Sequence, residues 1–179
     1  SIESFCQMMN EKAAAIGAAS TKFVNPTGIH DTSMVTTARD IAVIARYFYY
    51  INPLYEMSCT TRYIVPPTPQ TSRQRVLLNR NLLVSRVRSD KYYYSAAKGM
   101  SLGNTPEAGE CIVTSAVDES GLTYICVIMN AYADEESNRA CTDAAALLSM
   151  CLNHFAYTTV LSPKTLISEL PVHLAVDTD

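Results

Sequence analysis

The sequence predicts a layered domain of the α/β (α+β) class, in which helices flank an antiparallel sheet. Two segments rich in Val, Ile, Tyr and Thr, residues 110–117 and 122–130, are separated only by the turn at residues 118–121. This arrangement is typical of an antiparallel hairpin. Both segments are apolar on both faces, so the hairpin is expected to lie in a sheet that is covered on each side. Apolar residues at helical spacing before and after the hairpin supply the covering helices.

The first helix is predicted over residues 1–16, and Gly17 is a plausible stop. Its apolar positions follow helical spacing, at Phe5, Met8, Met9, Ala13 and Ile16. The second helix is predicted to begin near Thr37, with Asp40 three residues later as a variant of the capping box. Pro53 lies beyond its expected end. Its predicted buried stripe consists of Ile41, Ile44, Ala45 and Phe48.

The other segments follow from turn chemistry and periodicity. Residues 25–28, Asn-Pro-Thr-Gly, predict a turn, and residues 66–74, with three prolines, predict an exposed loop. A last helix is predicted over residues 135–155, with acidic residues in its first turn. Its stripe is Ala140, Ala144, Leu147, Leu148, Cys151, Leu152 and Phe155. Residues 1–160 are therefore assigned to the domain and residues 161–179 to an exit segment.

Composition restricts the functional classes. The chain has 179 residues, 48% hydrophobic and 17% charged, which suits one domain with a core. The net charge of −3 and the lack of a basic stripe argue against a nucleic-acid partner. The apolar runs are too short to cross a bilayer, and no signal peptide precedes Ser1. Because the chain opens inside a predicted helix, we expect a piece of a longer protein.

Cysteine and histidine spacing gives no cofactor or metal prediction. The six cysteines are scattered without a CxxC pair, which favours free thiols that pack as small apolar side chains. His30, His154 and His173 lie far apart and show no metal-ligand spacing. We therefore predict neither a metal nor a cofactor.

An ordered set of short strings carries a family resemblance. In chain order the strings are Met9-Asn10-Glu11-Lys12, Phe23-Val24-Asn25-Pro26-Thr27-Gly28, Thr36-Thr37-Ala38-Arg39-Asp40, Asn79-Arg80-Asn81, Ala108-Gly109-Glu110-Cys111 and Tyr124-Ile125-Cys126-Val127-Ile128-Met129. Together they resemble the serine D-alanyl-D-alanine carboxypeptidases, the low-molecular-mass penicillin-binding proteins of peptidase type S11. The resemblance runs from residue 1 to about residue 160.

This resemblance implies a β-lactamase/transpeptidase-like fold, of which the chain would supply the last three strands. The family's nucleophile motif Ser-x-x-Lys and its Ser-x-Asn precede the matching stretch, so they would fall before Ser1. The implied ligands are peptidoglycan stem peptides and β-lactams, and the implied location is extracytoplasmic. An uncovered sheet edge would call for a homodimer or a complementing N-terminal polypeptide.

The third family motif, Lys-Thr-Gly on an edge strand, can be located without gaps. Family members often read Lys-Thr-Gly, three residues and then Ala-Gly, and the matching segment here is residues 101–109. The lysine is replaced by Ser101 and the threonine by Leu102, while Gly103 is kept. Serine cannot supply the cation and leucine cannot donate a hydrogen bond. The resemblance therefore implies no complete catalytic motif in this chain and a substrate site at Arg80, Ser101, Gly103 and Thr105.

Two other patterns compete with this alignment. Lys98-Gly99-Met100 would be a shifted motif, but a three-residue shift on a regular strand reverses the face of the sheet. Ser95-Ala96-Ala97-Lys98 matches Ser-x-x-Lys, a motif that works at the start of a buried helix. That match carries little weight because it is expected by chance.

Several remaining residues have a functional and a structural interpretation. Arg80 could bind a carboxylate through its planar fork of donors, or hold the fold through carbonyls and carboxylates. His30 and Asp31 are expected to hold a loop rather than transfer protons. Tyr92-Tyr93-Tyr94 are expected to pack rather than stack on sugar. Asp118 and Glu119 are expected to be solvated turn residues.

Three functional hypotheses follow. The first is a member of the carboxypeptidase family that binds stem peptides and has lost activity. The second is an active serine D,D-carboxypeptidase when the chain is joined to its upstream segment. The third is a non-enzymatic interaction module.

Overall fold

The computed structural model describes residues 1–132, 137–158 and 160. Two helices open the chain, α1 (Ile2–Ala15) and α2 (Ala38–Tyr49), and a third, α3 (Asn52–Cys59), follows directly. The rest of the chain, in order, consists of β1 (Arg62–Val65), β2 (Arg75–Leu78), β3 (Ala97–Thr105), β4 (Gly109–Val117), β5 (Thr123–Ala131) and α4 (Arg139–His154). The predicted exit segment, residues 161–179, lies outside the described residues and stays a prediction.

The main sheet is antiparallel with the strand order β3-β4-β5, and it confirms the predicted hairpin to within one residue at each end. Asp118 closes the turn: its Oδ1 accepts hydrogen bonds from the backbone N–H groups of Ser120 and Leu122 and from the Ser120 hydroxyl. These bonds hold the pKa of Asp118 below its usual range, chiefly through the Ser120 hydroxyl. A solvated turn role for Asp118 agrees with the sequence analysis.

A bulge near the start of β3 changes which residues share a face. Lys98 pairs with Ser115 and Ser101 pairs with Val113, so three residues of β3 oppose two of β4. Residues directly opposite in antiparallel strands share a face. Lys98 and Ser101 therefore lie on the same side of the sheet, and the expected reversal of face between them is wrong because it assumed a regular strand.

One face of the sheet packs against α4 and forms the core. Ile112 and Ala116 of β4 are almost fully buried there against Ala144 and Leu148 of α4. Asn138 caps the helix by accepting from the backbone N–H of Cys141. The helix begins four residues later than predicted, and the predicted acidic first turn, residues 135 and 136, lies outside the described residues.

The other face packs against α2 and α3. Hydrogen bonds fix both helices: the Tyr55 hydroxyl lies 3.0 Å from the buried Ser115 hydroxyl, and the Tyr49 hydroxyl lies 3.1 Å from that of Thr123. Helix α3 was not predicted, because Pro53 was read as lying past a helix end. Its position at the start of α3 is favourable, since the N–H that proline lacks has no partner in a first turn.

Helix α1 is held by polar contacts more than by its predicted stripe. Asn10 exchanges two hydrogen bonds with the backbone of Phe23, which ties α1 to the following loop. Cys6 and Ala13 are its buried residues, whereas Phe5 and Met8 are 48% and 58% exposed. The helical period was predicted correctly, but the described chain leaves Phe5 and Met8 of the predicted stripe exposed.

Candidate functional site

The residues at the predicted motif, Ser101, Leu102 and Gly103, lie in the middle of β3, an edge strand of the sheet. Ser101 pairs with Val113 and faces the α2 side, whereas Leu102 pairs with Ile112 and faces the α4 side. All three residues are exposed, Leu102 to 39%. The strand therefore presents a hydroxyl and an isobutyl group at Ser101 and Leu102, and the alignment of these residues with the lysine and threonine of the family motif stays a prediction.

Near its start, β3 lies in close contact with the backbone of α3, which fixes its position. A Cβ at Gly99 would lie 1.8 Å from the carbonyl oxygen of Ser58, so only glycine fits between β3 and α3. Asn79 reinforces this junction, because its Nδ2 donates to the carbonyl oxygens of Ser58 at 2.8 Å and Thr60 at 3.0 Å. The position of Ser101 is thus determined by rigid neighbours rather than by a loop.

A cavity of about 300 Å³ borders Ser101 and brings Arg80 to it. Asn81 also lines this cavity and is only 2% exposed. Its Oδ1 accepts from the backbone N–H of Leu83, while its Nδ2 is buried without a hydrogen-bond partner among the described residues. Arg80 supplies a cation to this cavity, which Ser101 also lines, and the binding of substrate by these residues stays a prediction.

A second cavity of about 230 Å³ lies on the α4 side of β3 and is also bordered by Arg80. Arg88 and Glu110 line it beside Leu102 and Gly103. The Oε1 atom of Glu110 accepts from Asn138 Nδ2 at 2.8 Å, whereas its Oε2 is buried without a partner in the described part of the chain. Sequence reasoning missed Arg88 and Glu110; strand alternation from Ile112 could have placed Glu110 on this face.

The third feature is an apolar groove of about 470 Å³ between α2 and the open face of the sheet. It is lined by Ile41, Ile44, Ala45, Phe48, Met100, Ser101, Leu102, Gly103, Cys111, Ile112, Val113, Val127, Ile128 and Met129. None of these residues carries a charge at neutral pH. The predicted stripe of α2 thus faces the sheet, and space remains between the two layers beside Ser101.

Neither competing pattern forms a catalytic arrangement. Lys98 lies on the same face of the sheet as Ser101. Its side chain is exposed, and it lines neither the apolar groove nor the cavity of about 300 Å³ that Asn81 and Ser101 border. Ser95 and Ala96 lie in a turn and Lys98 lies in β3, so Ser95-Ala96-Ala97-Lys98 has no helix to bring the two side chains together. The discounting of this match is confirmed.

Thr105, the last predicted substrate residue, lies at the turn between β3 and β4. Its Oγ1 accepts from the backbone N–H of Ala108 at 3.1 Å, which stabilises the turn. Thr105 borders none of the three cavities at residues 101–103. Its contact with substrate stays a prediction.

Other candidate residues have structural roles. The Asp31 carboxylate accepts from the Ser33 hydroxyl and backbone, and these bonds lower the pKa of Asp31. The Tyr92 hydroxyl accepts from the backbone N–H of Asn138, and the Tyr93 ring lies 4.4 Å from the Arg86 guanidinium carbon. All six cysteines are free thiols, as predicted. Within the described ranges, no helix is long and apolar enough to span a bilayer.

Comparison with known proteins gives a consistent result. The family model described as D-alanyl-D-alanine carboxypeptidase matches residues 1–133. The D-alanyl-D-alanine carboxypeptidase DacF of Bacillus subtilis is 28% identical over 140 residues, which cover 78% of this chain and 33% of DacF. DacA of Haemophilus influenzae, which has the same descriptive name, is 25% identical over 129 residues, covering 72% of this chain and 30% of DacA.

Solved structures agree on the fold. The carboxypeptidase DacD from Francisella tularensis superposes with a TM-score of 0.71 at 23% identity, covering 86% of this chain and 46% of DacD. A mutant of the Streptomyces K15 DD-transpeptidase gives a TM-score of 0.70 at 26% identity, with coverage of 83% and 54%. These likenesses confirm the predicted penicillin-binding-protein fold. The chain spans about a third of the length of DacF and of DacA, and it belongs to the D-alanyl-D-alanine carboxypeptidase (peptidase S11) family.

Proposed function

We propose that this chain is part of a protein that binds peptidoglycan stem peptides along β3 and that is impaired in their hydrolysis. The observation that carries the proposal is the identity of Ser101, which occupies the family's lysine position on an exposed edge strand. A neutral hydroxyl cannot supply the electrostatic stabilisation that an ammonium provides to developing negative charge. Leu102 removes the neighbouring hydroxyl and turns an apolar group towards the Glu110 cavity.

Arg80 supports a retained binding role. It lines the cavity beside Ser101 and the cavity beside Leu102, so one guanidinium can approach a peptide lying along either side of the strand. A planar guanidinium pairs well with a carboxylate, which a stem peptide carries at its end. The protein can therefore still bind a stem peptide even though it no longer accelerates the hydrolysis of that peptide. Because peptidoglycan lies outside the cytoplasmic membrane, we propose that the protein binds stem peptides outside that membrane.

The test is labelling of the protein in its natural length with a fluorescent penicillin, followed by intact mass measurement. We expect no covalent adduct and measurable binding to isolated peptidoglycan. A stable acyl adduct would overturn the impairment. Absence of both adduct and binding would instead support the non-enzymatic interaction module.

Two variants sharpen the test. Arg80→Gln is expected to weaken binding to peptidoglycan about tenfold, since it removes a charge-assisted pair. Arg62→Gln makes the same change of charge on β1 and is the control. The double substitution Ser101→Lys and Leu102→Thr restores the family pattern, and it is expected to raise penicillin labelling only if a nucleophile is present upstream.

A second candidate function is an active serine D,D-carboxypeptidase formed when the chain meets an upstream or complementing N-terminal polypeptide. The apolar groove favours it, because an uncharged cavity beside Ser101 suits an apolar segment of another polypeptide. Among the described strands none pairs with the outer edge of β5, which leaves backbone donors and acceptors for a further strand. Mixing the chain with the N-terminal portion of DacF and measuring penicillin labelling tests this function.

The same open edge allows a homodimer instead. Sedimentation of the chain alone distinguishes the two partners. A dimer that dissociates when the DacF portion is added would show that both use one surface. A monomer at all concentrations would exclude the homodimer.

A further inference from the structure

Helix α2 has a second cleft on the side opposite the apolar groove. This arginine cleft, of about 710 Å³, lies between α2, the turn that joins β4 to β5, and Tyr157. Arg39 and Arg46 of α2 both line it. It shares no lining residue with the site at residues 101–103, so nothing in the proposed function uses it.

The two arginines present separate positive charges. They are seven residues apart on α2, which places their backbones about 10.5 Å apart along the helix axis. Both side chains are exposed, and in the part of the chain that the structure describes neither forms an ion pair or a hydrogen bond. The guanidinium groups are therefore available to a ligand from outside.

Tyrosines form the remaining walls. The Tyr49 hydroxyl is bound to Thr123 at 3.1 Å, which fixes the end of α2 against β5. The Tyr50 ring stands edge-on to Tyr49 at 5.4 Å between centroids, and Tyr50 and Tyr157 are both more than 70% exposed. Exposed tyrosines beside arginines are typical of protein-recognition surfaces.

We propose that the arginine cleft binds an acidic segment of a partner protein in the polyproline II conformation, with two carboxylates three residues apart. A polyproline II segment advances about 3.1 Å per residue with about three residues per turn, so such carboxylates lie on the same face about 9 Å apart and match the two arginines. Each arginine offers a fork that can hold one carboxylate through two hydrogen bonds. The apolar groups of Ala42 and Val43, between the arginines, contact the residues between the carboxylates.

A short acidic peptide fits this surface better than a nucleic acid. The chain carries a net charge of −3, so a long polyanion would be repelled by the surface beyond the cleft. Nucleic-acid binding relies on many phosphate contacts, and this cleft offers two cations. The partner is therefore defined by two charges at a set spacing rather than by charge density.

The test is fluorescence anisotropy of the whole chain with a labelled ten-residue peptide that holds two glutamates separated by two residues. We expect saturable binding that weakens with salt. Arg39→Gln and Arg46→Gln should each weaken it about tenfold, as loss of one charge-assisted pair. Arg75→Gln, an equal change of charge on β2, is the control and should leave it unchanged. Circular dichroism of each variant checks that the fold is retained.

Two control ligands decide the class of partner. The peptide with both glutamates replaced by glutamine should not bind, and equal binding by it would overturn the proposal. Tighter binding of a single-stranded oligonucleotide, or of a soluble stem-peptide fragment that competes for the cleft, would also overturn it. Equal affinities of Arg39→Gln, Arg46→Gln and the parent chain would have the same consequence.

Discussion

The two faces of the three-stranded sheet differ in how completely the chain covers them. On the α4 side, side chains such as Ile112 and Leu148 are 1% exposed, and the cavity beside Glu110 is about 230 Å³. On the α2 side, a groove of about 470 Å³ separates the helix from the strands. In the described part of the chain, the first face therefore holds the buried core, whereas the second is covered by α2 and α3 with a larger apolar groove between helix and strands.

The difference assigns separate tasks to the two faces. The α4 face stabilises the sheet and holds β3 in position, since Leu83, Ala97 and Ile112 pack there. The α2 face presents Ser101 next to unfilled apolar space. Stability should therefore depend mostly on one face and binding mostly on the other.

The largest effect is expected from equal truncations on the two faces. Ile112→Ala removes a buried side chain from the α4 face and should lower the free energy of unfolding by about 2–5 kcal/mol. Ile44→Ala removes the same atoms beside the groove, where packing is incomplete, and should cost less than half as much. Urea unfolding of both variants measures the difference. Equal losses would mean that the groove is as well packed as the core.

The next effect concerns two glycines of β3. Gly99→Ala places a Cβ 1.8 Å from the Ser58 carbonyl oxygen, so backbone must move, and we expect a loss of about 1–3 kcal/mol. Gly103→Ala is the matched control, because its nearest neighbour would be Cys111 Cβ at an ordinary 3.9 Å. Thermal unfolding should separate the two variants clearly. A stable Gly99→Ala protein would show that the α3–β3 junction is not rigid.

A smaller effect is expected at the hydrogen bond that joins α3 to β4. Tyr55→Phe leaves the buried Ser115 hydroxyl without its partner and should cost about 1–2 kcal/mol. Adding Ser115→Ala removes the unpaired hydroxyl and should recover part of the lost free energy of unfolding. Tyr63→Phe, on an exposed strand, is the control. A double-mutant cycle by urea unfolding measures the coupling, and a value near zero would mean that the bond contributes nothing.

The α4 face was easier to predict than the α2 face, for a physical reason. The alternation of β4 and β5 and the stripe of α4 are local patterns, and each finds its partner within the chain. The bulge between Lys98 and Ser101 depends on how β3 meets Ser58, a contact far away in sequence, so the face of Lys98 was predicted wrongly. Phe5 and Met8 have the right spacing for burial, but no described element covers them.

The candidate site also contains residues that sequence patterns indicate and residues that only the packing reveals. The spacing from Ala108-Gly109 predicts Ser101, Leu102 and Gly103 as site residues, and a short string predicts Arg80; these roles stay predictions. The orphaned amide of Asn81 and the carboxylate of Glu110 could not be found, because a missing hydrogen-bond partner is a property of packing alone. Sequence can place a residue on a strand, but the polar groups that surround it come from other elements.

The smallest expected effect is on the pH dependence of stability, and it comes from the ionisation of two buried thiols. Burial raises the pKa of Cys126 and Cys141, both on the α4 face, to about 11 from an ordinary 9.0. As pH rises from about 9, the unfolded chain loses these protons before the folded chain does, so folding becomes less favourable. Their contribution to stability is therefore complete below about pH 9 and is lost as pH approaches 11.

Urea unfolding from about pH 8 to about pH 10 measures this decline. Replacing both Cys126 and Cys141 with alanine should flatten the dependence, even though the variant is less stable at every pH. Cys111→Ala, beside the apolar groove, is the matched control and should keep the decline of the parent chain. If the double variant declines as steeply as the parent, the buried thiols are not the groups that titrate. The contrast between the two faces would then rest on packing alone and not on the environment of their ionisable groups.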